Sequence, residues 1–142
     1  MRTQSPYDSY KKAQVQTANQ GKLIVMMYDG AVKYMRSAVE AIKLKKYDQA
    51  HRSIVRAEDI ITELLLALDY DKGGEIAKKL ASLYIFFNQQ LLEANIAKIA
   101  EPIEMVIKLM SELRESWDKI SGKSTDNDSL DMDKKGGLNI SG

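Results

Sequence analysis

Apolar residues recur every three to four positions through four long stretches of the chain, with charged residues filling the gaps. Ile24, Met27, Ala31, Tyr34, Ala38 and Ala41 share one face at helical spacing and predict a first helix from about Asn19 to Leu44. On its other side Lys22, Asp29, Lys33, Arg36, Glu40 and Lys43 form a charged stripe. Asp29-Gly30 would mark a turn elsewhere, but the periodicity runs unbroken through it. Gly30 then costs about 1 kcal/mol relative to Ala. Lys45 and Lys46 end this element, and Asp48 can cap a second helix carrying Ala50, Ile54, Ala57, Ile61, Leu64 and Leu68. Asp69-Tyr70-Asp71-Lys72-Gly73-Gly74 reads as the plainest loop. A third helix follows with Ala77, Leu80, Tyr84, Phe87, Leu91 and Ala94, stopping near Ala97. Pro102 fits the first turn of a fourth helix, where its missing amide is harmless, and Ile103, Val106, Met110, Leu113, Trp117 and Ile120 form that helix's seam.

Four amphipathic helices of similar length with short links predict an all-α fold, an antiparallel up-and-down four-helix bundle. Each helix alone is marginal in water, and mutual burial of the seams stabilises the set. Residues 1–16 read as a short N-terminal arm carrying Tyr7, Tyr10 and Val15 among polar neighbours. Thr17 is a candidate cap, so the bundle is assigned to residues 17–120. Residues 121–142 are rich in Ser, Asp, Lys and Gly with isolated apolar residues, and read as a disordered tail.

Composition narrows the function. The chain has 142 residues, 44% hydrophobic and 29% charged, enough for one core and a wet exterior. Its 21 basic and 20 acidic residues nearly cancel, which argues against the clustered cations of a nucleic-acid footprint. There is no Cys, hence no disulfide framework or thiolate metal site. Met1-Arg2-Thr3-Gln4-Ser5-Pro6 lacks the apolar core of a secretory signal, and no apolar run approaches the ~18 residues that cross a bilayer. The expectation is a cytosolic protein with no membrane insertion.

Catalytic chemistry finds little footing. The single histidine, His51, stands beside the inward-facing Ala50 and Ile54 and reads as a boundary or surface residue. The two Glu-x-x-His pairs of a helical di-iron site cannot be written, and the Asp69–Gly74 loop has Leu80 where a calcium loop needs its bidentate Glu. No phosphate-cradling glycine loop precedes a helix. The expectation is a binding protein without cofactor or metal. A helical adaptor in a signalling assembly, with a solvent-facing His51 accepting phosphate, is the alternative.

The first helix carries more apolar surface than one seam requires. Tyr28, Val32, Met35, Val39 and Ile42 make a second run, each one residue after a core-seam position and so rotated by about 100°. Leu23-Ile24-Val25-Met26-Met27-Tyr28 is denser still. Such a helix is either the most deeply buried of the four or one wall of an apolar groove that receives an amphipathic segment. Adaptable Met side chains suit the second role. In that reading the groove residues are Leu23, Ile24, Met27, Tyr28, Val32 and Met35. The arm could then cover them, with Tyr7 and Tyr10 as pegs.

The same residues carry a resemblance. Thr17-Ala18 followed by Lys22-Leu23-Ile24-Val25-Met26-Met27-Tyr28-Asp29-Gly30-Ala31 resembles the signature of the flagellar secretion chaperones, the FliS family. Arg56-Ala57-Glu58-Asp59-Ile60-Ile61-Thr62-Glu63-Leu64, Gly73-Gly74-Glu75-Ile76-Ala77, Leu83-Tyr84, Leu92-Glu93-Ala94-Asn95 and Leu113-Arg114-Glu115-Ser116-Trp117 continue it in order across residues 7 to 120. The resemblance implies a helical bundle in the bacterial cytosol that binds the C-terminal segment of flagellin, prevents premature polymerisation and hands the subunit to the flagellar type III export machinery. It also implies that the arm, at Tyr7 and Tyr10, packs over part of the binding surface. A homodimer of the free protein through the groove is left open. Asn19-Gln20 stands where the family commonly has Ser-Pro, so the hinge between arm and helix is predicted to be looser.

Overall fold

The computed structural model describes residues 20–126 as four α-helices: α1 (Gln20–Lys43), α2 (Tyr47–Leu66), α3 (Tyr70–Ala97) and α4 (Glu101–Asp126). The predicted arm, the Thr17 cap and the tail beyond residue 126 lie outside the described residues. The helix count and order match the periodicity. α4 runs six residues past Ile120, where the bundle was predicted to end.

Side-chain ties fix neighbouring helices antiparallel. Asp29 near the start of α1 meets Arg114 late in α4, and Lys43 at the end of α1 meets Glu104 at the start of α4. Between α2 and α3, Thr62 meets Asn88 and His51 meets Asn95. α1 and α3 each pack on both α2 and α4, so they occupy diagonal corners.

The links depart from the expected local chemistry in three places. Lys45 adopts the left-handed conformation (φ 58°), and the Lys45 and Lys46 amides reach back to the Ile42 and Ala41 carbonyls, closing α1 as a Gly usually would. The residue before α2 is Lys46 and gives no side-chain cap, so Asp48 sits inside the first turn, where its charge favours the helix dipole. The predicted loop over 69–74 is already helical from Tyr70, because the Asp69 carboxylate accepts from the Lys72 amide. The chain breaks only at Gly74 (φ 53°, ψ −126°), a conformation that glycine alone adopts without strain.

The core runs the length of the bundle through Tyr28, Met35, Ile54, Ile61, Tyr84, Phe87, Leu91, Ile103, Val106 and Met110, all fully buried. Each such aliphatic or aromatic side chain contributes about 1.5–3 kcal/mol by leaving water. Small residues on α1 (Gly30, Ala31, Ala38 and Ala41) let its neighbours approach closely. A Cβ on Gly30 would stand 3.3 Å from Ile60 Cδ1.

Candidate partner-binding face

The residues expected to line a groove on α1 are mostly interior. Tyr28 and Met35 are fully buried, and Leu23, Ile24 and Met27 are buried beside them. Val32 is half-buried, at the edge of a groove between α1 and α4 whose walls are polar: Asp29, Lys33, Arg36 and Arg114. Tyr7 and Tyr10 lie outside the described residues. The second seam of α1 therefore serves packing: α1 touches α2 on one side and α4 on the other, and both contacts consume apolar surface.

Within that core the Tyr28 hydroxyl lies 2.7 Å from that of Tyr84 and accepts the indole N–H of Trp117 at 3.3 Å. Three helices are thus joined by one buried polar cluster. Burial pushes both phenols above their ordinary range, since a phenolate there would be stripped of water.

Exposed apolar surface appears instead on α3. Ile85 is 48% exposed, Leu92 53% and Ile96 75%. Their spacing of seven and four residues places them on one face. Ile99, just past the helix end, is also exposed, and its amide bonds the Ala94 carbonyl alongside that of the left-handed Lys98. This stripe stands one residue after the core positions Tyr84 and Leu91, the same offset as the second seam of α1. The sequence carries this second seam on α3 as well as on α1, and the one on α3 is the one left exposed.

Polar rungs run beside the stripe. Asn88 Nδ2 donates to Thr62 Oγ1 at 3.1 Å, and Asn95 Nδ2 lies 2.9 Å from His51 Nδ1. Lys98 Nζ donates to Asn95 Oδ1, which turns the amide nitrogen toward His51 Nδ1. Glu58 is half-buried on α2, and its carboxyl is pushed up first by burial and then by Asp59, with His51 pulling the other way. The Asn88 Oδ1 atom is buried without a partner. The resulting face is an apolar rail on α3 next to a fixed polar seam with α2, a form suited to holding an amphipathic helix. Among the described residues no three His, Asp or Glu side chains gather as a metal site, and no helix is long and apolar enough to cross a membrane.

The chain is similar in sequence to known proteins. Residues 3–124 match the family model for the flagellar protein FliS. The flagellar secretion chaperone FliS of Campylobacter jejuni is 32% identical over 125 residues, covering 88% of this chain and 98% of that protein. The protein of the same name from Salmonella typhimurium is 36% identical over 112 residues, 78% of this chain and 83% of its own length. The one from Bacillus subtilis is 28% identical over 117 residues, 82% and 86% of the two chains. The chain belongs to the FliS family of flagellar secretion chaperones.

Proposed function

We propose that this protein is the cytosolic chaperone of flagellin, binding flagellin's C-terminal segment as a helix and keeping it from polymerising before export. The observation that carries the reading is the apolar stripe Ile85–Leu92–Ile96, set on a rigid bundle and exposed in a family whose relatives are named secretion chaperones. A guest helix with apolar residues at matching spacing would bury on the chaperone the side chains it later buries in the filament. Chaperone and filament would then exclude one another.

Magnitudes say the stripe is one part of a longer contact. Finishing the burial of these three exposed side chains yields roughly 3–5 kcal/mol. Ordering a disordered segment costs about 2–5 kcal/mol, before the loss of free tumbling. The guest must therefore extend past α3. The second contact region in this reading is the start of α1, at Leu23, Ile24 and Met27. The family resemblance implies that the arm bearing Tyr7 and Tyr10 packs over part of the binding surface and moves when the guest arrives. Release then comes by handover to the export machinery.

The test is filament assembly followed by light scattering. Equimolar chaperone should suppress assembly of monomeric flagellin, and flagellin lacking its C-terminal segment should no longer bind in a calorimetric titration. Equal binding of the intact and truncated subunits would contradict the proposed mode.

A further inference from the structure

The side of the bundle diagonal to α3 has a different character. Between α1 and α2 lies an open groove of about 480 Å³, lined by Tyr34 and Glu40 from α1, by Leu44 just past its end, and by Arg52 and Arg56 from α2. The Arg56 guanidinium lies over the Tyr34 ring, 5.9 Å from its centre. Leu44 at the lower end is 56% exposed. Ser37 lines this groove and also the polar groove against α4, which adds Lys33 and Arg36 to the same strip across the outer surface of α1.

The strip has excess positive charge. Among the described residues, Lys33, Arg36, Arg52 and Arg56 have no carboxylate within ion-pair distance. Arg114, which lines the polar groove with them, is held by both oxygens of Asp29, at 2.9 and 3.2 Å. Glu40 is the one carboxylate in the lining of the α1–α2 groove. Across the two grooves, Lys33, Arg36, Arg52, Arg56 and Arg114 thus face Asp29, Glu40 and Glu115, and with Asp29 and Glu115 both engaged by Arg114 the other four cations have only Glu40 beside them among the described residues. Apart from the contact of Arg56 with the Tyr34 ring, these cations have no charged partner among the described residues, and an excess of one sign along a groove suits an external anion.

From this we infer that the α1–α2 groove is a second docking site, for an acidic amphipathic helix of another protein. Carboxylates on that helix meet Arg52 and Arg56 as charge-assisted, forked hydrogen bonds, with Lys33 and Arg36 steering the approach. Its apolar residues pack on Leu44 and on the Tyr34 ring left uncovered by Arg56. The apolar floor selects a protein helix over a plain polyanion. The groove lies on the α1 side of α2 and the stripe on α3, on the other side of α2, so the two sites share no lining residue.

A fluorescein-labelled 18-residue peptide with Glu and Leu at helical spacing is the probe, titrated into the full-length protein and read by anisotropy at low and moderate salt. The wild type should bind it and lose affinity as salt rises. Arg52→Glu/Arg56→Glu should weaken binding at least tenfold, and Arg52→Gln/Arg56→Gln at least threefold, both with unchanged helical circular dichroism. Lys79→Glu/Lys119→Glu makes the same change in net charge on other faces and should shift affinity less than twofold. Equal losses in the two Glu variants would overturn the inference, because overall charge would then explain binding. Equal competition by single-stranded RNA of matched charge would also overturn it, by showing that the apolar floor selects nothing.

Discussion

The Tyr28 and Tyr84 hydroxyls meet at 2.7 Å across the diagonal of the bundle, joining two helices that otherwise touch little. Their rings stand edge to face at 6.4 Å, so the pair contributes both a buried hydrogen bond and an aromatic contact. Tyr28 is the centre of the cluster because it also receives the Trp117 N–H. Tyr28→Phe leaves the indole and the Tyr84 hydroxyl without partners and should cost about 2–3 kcal/mol. Tyr84→Phe leaves the Tyr28–Trp117 bond in place and should cost about 1 kcal/mol. The double variant should cost less than the sum, because it removes the orphaned Tyr84 hydroxyl. Urea titrations followed by Trp117 fluorescence measure all three.

Both phenols have pKa values raised by burial. A group whose folded pKa exceeds its unfolded value stabilises fully below the unfolded value, here 10.0, and loses that stability as pH climbs above it. Stability should therefore be flat with respect to these two groups below about pH 9 and fall steeply above pH 10. Tyrosinate absorbance near 295 nm from this pair should rise only with the loss of helical circular dichroism. In Tyr28→Phe/Tyr84→Phe the fall above pH 10 should be shallower.

Two glycines should respond oppositely to alanine. At Gly30 the helix gains about 1 kcal/mol of propensity, offset by crowding against the Ile60 methyl at 3.3 Å, so Gly30→Ala should be near neutral. Gly30→Leu cannot be accommodated between α1 and α2 and should cost about 1–3 kcal/mol. At Gly74 nothing lies within 4 Å of an added Cβ, and the cost comes from the backbone alone. Gly74→Ala should cost about 1–2 kcal/mol. Thermal melts of the three variants test the order.

Helix number, order, seams and the Ala97 and Pro102 boundaries were legible because a core residue every three or four positions is a strong, local signal. The positions of the loops were less so: Asp69 capping Lys72 turned a Gly-rich loop into a helical turn with one kink. Which apolar face stays exposed was not legible from periodicity alone. α1 and α3 carry the same second seam, and their difference lies in partner spacing. Gly30, Ala31, Ala38 and Ala41 let neighbours close over the α1 seam. On α3 the large Tyr84, Phe87 and Leu91 occupy the middle of the core seam, and Ile85 and Leu92 beside them remain in water. Residue size along the core seam, which sets how closely helices approach, was the signal that could have separated the two.

The same contrast separates binding variants from unfolded ones. Met27 is buried, so Met27→Asp should lower the melting temperature sharply, and any effect on guest binding is read only from protein that remains folded. Val32→Asp, at a half-buried edge, should destabilise less.

The central claim is that the α3 stripe receives the guest helix. It is tested most directly by titrating a peptide of flagellin's C-terminal segment into the wild type and into Leu92→Asp/Ile96→Asp, with a melt of each. Both side chains are more than half exposed, so the variant should melt within a few degrees of the wild type. It should bind the peptide at least tenfold more weakly. A folded variant that binds as tightly as the wild type would contradict the account.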